Sequence, residues 1–259
     1  MTRYGAVTAT GTRHELNEDS LGEAPRRGLW VVADGMGGHA AGGTASKIVR
    51  DTMLAETASG ASLLQAIETS HRAVVSRADQ DAQKAGMGST VVVLEIEQDE
   101  ASYAWVGDSR VYLLREGELR RLTTDHSYVQ YLLQKGEIRD DEVESHPQRN
   151  VLTQTLGFDA PKPGSAVCDL QPDDWLLLCS DGLTVEVSDS EIAQIMNAAE
   201  SAQQAADDLV AKVVQRHGAD DSSAIVIHYK VRSNAWAAAL VGVLAGLLVF
   251  LTALWVKSA

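Results

Sequence analysis

Cysteine is scarce in this chain: of 259 residues only Cys168 and Cys179 are cysteines, and neither stands in a Cys-x-x-Cys or Cys/His cluster. That excludes a structural zinc site and a disulfide scaffold, and it fits a reducing compartment. Cys179 ends the apolar run Trp175-Leu176-Leu177-Leu178, which reads as a buried strand, so its thiol is an inert core group rather than a nucleophile. Positive charge is also short, with 22 Lys and Arg against 36 Asp and Glu and a net charge of −14. Residues 230–259 contribute Lys230, Arg232 and Lys257 and no acid, so what precedes them is more acidic still. Such a surface repels phosphate backbones at long range; nucleic acid is excluded as a partner and divalent cations are favoured. Met1 to Thr10 carries one basic residue and no long apolar run, so this stretch is not expected to be a secretory signal. The body of the protein is therefore expected in the cytoplasm.

Charge is absent altogether from Ala235 to Val256. At 1.5 Å per residue a helix over this stretch is about 33 Å long, which matches a bilayer core. Trp236 and Trp255 lie near its edges, where amphipathic rings sit, and Lys230 and Arg232 mark the cytoplasmic side. Lys257 beyond the far edge weakens the charge argument. A buried core helix is the bland alternative, but core helices are seldom apolar all round for this length. The expectation is a single-pass helix over about 235–256 in the inner cell membrane, with residues 1–230 as a cytoplasmic domain and 231–259 as juxtamembrane and membrane segment. Ala238, Gly242 and Gly246, four apart, put small residues on one face, a pattern that also permits helix-mediated self-association.

The chain before that segment holds no repeat and no low-complexity linker, and its overall hydrophobic content of 45% supports a sizeable core. Arg3 to Thr10 and Gly28 to Ala33 read as strands. Ala45, Ile48, Val49 and Met53 recur at helical spacing, and Ser62 with Gln65 forms a capping pair that opens a second helix. From Thr90 to Leu122 the pattern is Val91–Glu97, Ala101–Val106, Arg110–Arg115 and a short piece after Gly117, joined by links such as Gln98-Asp99-Glu100 that predict antiparallel hairpins. Asp174–Cys179 is a further strand. Capping pairs Ser188/Glu191 and Ser201/Gln204 open two more helices, and Ser222–Tyr229 closes the domain as a strand. This order predicts an α+β fold, an antiparallel β-sandwich flanked by helix pairs, with the C-terminal transmembrane helix added.

Aspartates mark the strand ends: Asp19, Asp34, Asp108, Asp181 and Asp220. Any single Asp-Gly is a turn, since these residues dominate turns. The set carries the argument, because strands of one sandwich bring their ends together and five carboxylates in one cleft repel each other unless a cation is present. Hard oxygen donors suit Mg²⁺ or Mn²⁺. Gly35 follows Asp34, and a residue without Cβ lets its carbonyl reach the same ion. Gly35-Met36-Gly37-Gly38-His39-Ala40 also matches the G-x-G-x-x-A dinucleotide fingerprint. That fingerprint needs a parallel second strand with an acid about 20 residues on, where this chain instead leaves one helix and starts another.

The ordered set Asn17-Glu18-Asp19-Ser20, Val32-Ala33-Asp34-Gly35-Met36-Gly37-Gly38-His39, Gly88-Ser89-Thr90, Val106-Gly107-Asp108-Ser109-Arg110, Thr124-Asp125-His126-Ser127, His146-Pro147-Gln148-Arg149-Asn150, Cys179-Ser180-Asp181-Gly182-Leu183 and Asp220-Asp221 resembles the metal-dependent protein phosphatases of the PPM (type 2C) family in its bacterial form. The likeness runs from about Arg3 to Tyr229. It implies hydrolysis of phosphoserine and phosphothreonine on proteins by a water that two Mn²⁺ or Mg²⁺ ions activate, without a covalent intermediate. By resemblance, Asp34 bridges both metals, the Gly35 carbonyl serves one, and Asp181 and Asp220 serve the other. Asp108 resembles the ligand of a third ion, with Asn150 nearby, and Asp19 resembles an outer-shell acid that orients water. His39 is the candidate proton donor to the leaving oxygen, with a structural role at the nearby helix start as its rival. Asp125 to Pro147 resembles the flap beside the cleft.

Two positions depart from the family pattern. His14 stands where the family places its phosphate-binding arginine, with Arg13 one residue back, so Arg13 is the expected phosphate contact and His14 the alternative. Asp221 replaces the amide of the usual Asp-Asn. A non-enzymatic relative is disfavoured because no metal aspartate is missing; a hydrolase of small phosphate esters or lipid head groups is the remaining rival. The natural partners are phosphoprotein substrates and a Ser/Thr kinase in the same membrane.

Overall fold

The central strands in this protein are short runs of β-branched and aliphatic residues that stop at Gly, Asp or charged turns. The computed structural model describes residues 2–37, 41–143 and 145–230. It runs β1 (Arg3–Ala9), β2 (Asp19–Ala24), β3 (Leu29–Met36), α1 (Ala41–Ala58), α2 (Leu63–Gln80), β4 (Gly88–Ser89), β5 (Val91–Glu97) and β6 (Glu100–Val106). It continues with β7 (Arg110–Arg115), β8 (Glu118–Arg121), α3 (Tyr128–Lys135), β9 (Gly164–Asp169), β10 (Trp175–Cys179), α4 (Asp181–Glu186), α5 (Asp189–Ala198), α6 (Ala202–Gln215) and β11 (Ser222–His228).

Every strand pairing among these elements is antiparallel. One sheet has the order β1-β11-β10-β7-β8; the other has β2-β3-β5-β6-β9, with β4 added on β3. The period of two sorts each central strand between two cores. Leu29, Val31 and Ala33 of β3 pack with α1 and α2, while Trp30 and Val32 face the second sheet. Leu177 and Cys179 of β10 pack with α4 to α6, while Leu176 and Leu178 enter the space between the sheets. Central strands are thus buried on both faces, which is why they read as continuous apolar runs rather than alternating ones.

The two-sheet sandwich with helices outside matches the expectation, and Thr2–Lys230 cluster as one compact unit. The capping boxes at Ser62/Gln65 and Ser188/Glu191 are both formed, and Ser201 caps α6 through the Gln204 amide. Four of these elements were not read from the sequence: β2, the two-residue β4, β9 and α4. Among the described residues no helix is long and apolar enough to cross a membrane; the expected span at 235–256 lies outside those residues.

Candidate metal centre and active site

Antiparallel pairing of β2 with β3 sets Asp19 directly opposite Asp34. The end of β3 is fixed from the other side by Thr90, whose amide donates to the Asp34 carbonyl at 2.8 Å and whose hydroxyl accepts from the Asp34 amide at 3.1 Å. The same hydroxyl lies 2.8 Å from Ser109 Oγ, so a buried pair of hydroxyls joins β3 to the turn that carries Asp108. That turn needs Gly107, whose φ is +107°.

From the second sheet, Asp181 opens α4 immediately after β10, and Asp220 precedes β11, the partner of β10. Ser180 Oγ donates to Asp19 Oδ2 at 2.8 Å and accepts from the Ser223 amide at 3.0 Å. One buried hydroxyl therefore connects the acidic ends of both sheets. Gly35 has a packing reason beyond the carbonyl argument: a Cβ there would lie 2.1 Å from the Gly42 carbonyl oxygen, so only glycine lets the first turn of α1 rest on β3.

Crowding shows in the proton affinities. Burial, with repulsion from Asp181 and against the Ser223 and Ser180 hydrogen bonds, lifts Asp19 to about 7. Asp34 is raised well above the carboxylate range by burial first, then by Asp19, Asp181, Asp108 and Asp220. Asp108 is raised in the same way by burial, Asp181 and Asp125. Asp181 reaches about 6 through burial and the field of Asp220, although a hydrogen bond with Asp34 opposes the shift. The five carboxyls thus form one electrostatic unit. Asp220 is its solvent-facing member, with a side chain 53% exposed.

The residues fit a small, hard dication. Asp19 Oδ1 and Asp181 Oδ1 are buried oxygens with no hydrogen-bond partner, an expensive condition for carboxylates unless a cation supplies the missing interaction. An all-oxygen donor set selects Mg²⁺ or Mn²⁺ over zinc.

The two departures from the family pattern touch each other. His14 Nδ1 lies 2.9 Å from Asp221 Oδ2 and 3.7 Å from Asp220 Oδ1, and the hydrogen bond to Asp221 raises its pKa. His14, Asp220 and Asp221 also form a group of ligand atoms within 4.8 Å of one another. Asp221, however, is 2% exposed and accepts from the Gly11 amide at 2.8 Å and the Glu18 amide at 2.7 Å as well. Its oxygens are committed to holding the 11–18 loop. Arg13 is exposed, and its amide donates to the Ala219 carbonyl at 3.0 Å, which seats it beside Asp220. His39 lies outside the described residues. Asn150 lines a groove that begins at Met36. The start of the segment 125–147 is tied to the Asp108 turn: Arg110 holds Asp125 through Nε at 3.1 Å and Nη2 at 2.7 Å, and the His126 amide donates to the Gly107 carbonyl at 2.9 Å.

Thr90, Ser109, Ser180 and Asp221 stand in the sequence motifs with no role legible there. Each acts through a partner far along the chain, 161 positions in the case of Ser180 and Asp19.

A family model described as Protein phosphatase 2C matches residues 10–222. The chain belongs to the protein phosphatase 2C family. The serine/threonine phosphatase stp of Listeria monocytogenes is 34% identical over 234 residues that cover 85% of this chain and 93% of that one. The serine/threonine protein phosphatase PstP of Mycobacterium tuberculosis is 35% identical over 234 residues, 87% of this chain, and the chain spans 44% of the length of that relative. A crystal structure of the PstP catalytic domain, solved in complex with 2 manganese ions, superposes with a TM-score of 0.78 at 30% identity, covering 88% of this chain and 97% of that one.

Proposed function

We propose that this protein hydrolyses phosphoserine and phosphothreonine on proteins, with residues 1–230 as its catalytic domain. The observation that carries the reading is the convergence of Asp19, Asp34, Asp108, Asp181 and Asp220, with two buried carboxylate oxygens unpartnered. Asp34, the Gly35 carbonyl, Asp181 and Asp220 would hold two Mn²⁺ or Mg²⁺ ions, and Asp108 a third. Bound there, such ions supply positive charge that lowers the pKa of an attacking water and offsets charge on the phosphoryl group. Asp19, its Oδ2 fixed by Ser180, orients the attacking water. Arg13, exposed beside Asp220, reaches the substrate phosphate, and His39 protonates the departing serine or threonine oxygen. Water attacks phosphorus in line, so no covalent enzyme intermediate forms. Phosphate release from a phosphothreonine peptide should require Mn²⁺ and fall at least about 100-fold in Asp34→Asn; metal-independent turnover would sink this reading.

The domain is tethered to the inner cell membrane by a helix at 235–256, with the catalytic domain in the cytoplasm, where a membrane Ser/Thr kinase supplies its phosphoprotein substrates. The support is the uncharged stretch from Ala235 to Val256, which also offers Ala238, Gly242 and Gly246 for helix self-association. Truncation after Arg232 should move the protein from the carbonate-resistant membrane fraction to the soluble one; an unchanged distribution would remove the tether.

A further inference from the structure

A groove of about 720 Å³ opens at the end of β3 and is walled by the segment 150–162. Its volume is that of a ligand pocket rather than a surface dimple. The floor starts at Met36, two residues past Asp34 on the same strand. At about 3.3 Å per residue, the groove mouth lies roughly 7 Å along the strand from the carboxylate cluster.

The wall is built rather than incidental. Ser89 of β4 exchanges two backbone hydrogen bonds with Leu156, at 3.0 and 2.8 Å, and the Gly157 amide donates to His71 Nδ1 at 3.2 Å. The Lys162 amide donates to Gln154 Oε1 at 2.6 Å, which closes the far end of the segment. Met36 pairs with Gly88. A Cβ at Gly88 would lie 2.6 Å from the Phe158 ring, so that ring rests on the backbone of β4. Phe158 remains 52% exposed while Met36, Leu152 and Pro161 line the same groove. A large aromatic ring held in place by a strand and open to water, sharing the groove with Met36, Leu152, Ala160 and Pro161 among six polar residues that include Asp159 and Lys162, offers an apolar anchor within a mixed wall.

We propose that this groove is a specificity subsite for the phosphoprotein substrate: it takes an apolar side chain two or three residues from the phosphorylated serine or threonine. The inference rests on the phosphatase reading and adds a sequence preference to it. Continuity fixes the occupant. A chain whose phosphate sits at the Asp34 cluster is extended at about 3.3 Å per residue, so its next-but-one or following side chain reaches the groove.

The test uses the full chain with Mn²⁺ and phosphothreonine peptides carrying Leu or Asp two and three residues from the phosphothreonine, on each side in turn. A p-nitrophenyl phosphate assay reports on the carboxylate cluster without any flanking chain. Wild type should prefer the better-placed Leu peptide over its Asp counterpart by about tenfold in kcat/KM, the scale of one partly buried apolar side chain. Phe158→Ser, which removes the ring, and Ala160→Trp, which fills the exposed groove, should each bring that preference below about twofold. Phe158→Leu should retain most of it. No preference in wild type, or a preference that survives both variants, overturns the subsite while leaving the phosphatase reading intact. If neither peptide nor p-nitrophenyl phosphate turns over with Mn²⁺, the phosphatase reading fails and the subsite falls with it.

Discussion

Gly35 shows how much a single position settles. Its sequence neighbour Asp34 drew attention to it as a candidate metal-binding carbonyl, yet the structure gives it a second task, since its bare Cα meets the Gly42 carbonyl where α1 lands on β3. Backbone cannot retreat as a side-chain tip can. Gly35→Ala should therefore destabilise the domain by about 3 kcal/mol in urea unfolding, at the upper end of overpacking effects. A loss below about 0.5 kcal/mol would mean that the helix shifts freely and that the close approach is unimportant. Asp221 makes the complementary point. In sequence it is only a carboxylate where the family has an amide, and in the structure Gly11, His14 and Glu18 occupy its oxygens. Nothing in the local sequence shows that role, because Gly11 lies 210 positions away.

At the scale of elements, legibility followed length and burial. Helices α2, α5 and α6 announce themselves by caps and an apolar stripe. The capping box at Ser188 is formed in full, and Ser188→Ala should lower stability by about 1 kcal/mol, read as a shifted urea midpoint with an unchanged slope. No shift would mean that tertiary packing alone sets the start of α5. Strands β3, β5, β10 and β11 were equally plain, being apolar on both faces. The missed elements lack these signals. The β2 sequence Asp-Ser-Leu-Gly-Glu-Ala holds no β-branched or aromatic residue, and it is a strand because β3 pairs with it. At the sheet edge, β9 is mostly exposed, with Val167 turned to solvent. Helix α4 has six residues, too few for a periodic pattern. The aspartates were readable because chemistry limits which residues may stand there; the hydroxyls that hold them were not, since Ser and Thr satisfy many local roles.

For the molecule as a whole, the raised carboxyls tie stability to pH. Asp19 moves from 3.8 to about 7 and Asp181 from 3.8 to about 6 on folding. Their folded forms bind protons more tightly than their unfolded forms, so the stability they contribute is complete below about pH 4 and is lost as pH rises through 6 to 7. Metal-free protein should consequently lose part of its thermal stability between pH 5 and pH 8. A dication relieves the same repulsion and competes with protons for the same oxygens, so saturating Mn²⁺ should raise Tm by roughly 5 °C or more at pH 8 and by less at pH 5. Calorimetry at both values, with and without chelator, tests the sign; a larger rise at pH 5 would contradict it.

Asp19 and Asp34 belong to strands of one sheet, Asp181 and Asp220 flank strands of the other, and the Ser180 hydroxyl spans the seam. An ion seated among them would therefore act as a rivet through two plates, resisting any sliding of one against the other. Withdrawing it would loosen the sandwich from that end inward, and faster amide hydrogen exchange at the Asp19 and Ser180 ends of β2 and β10 would be the first trace.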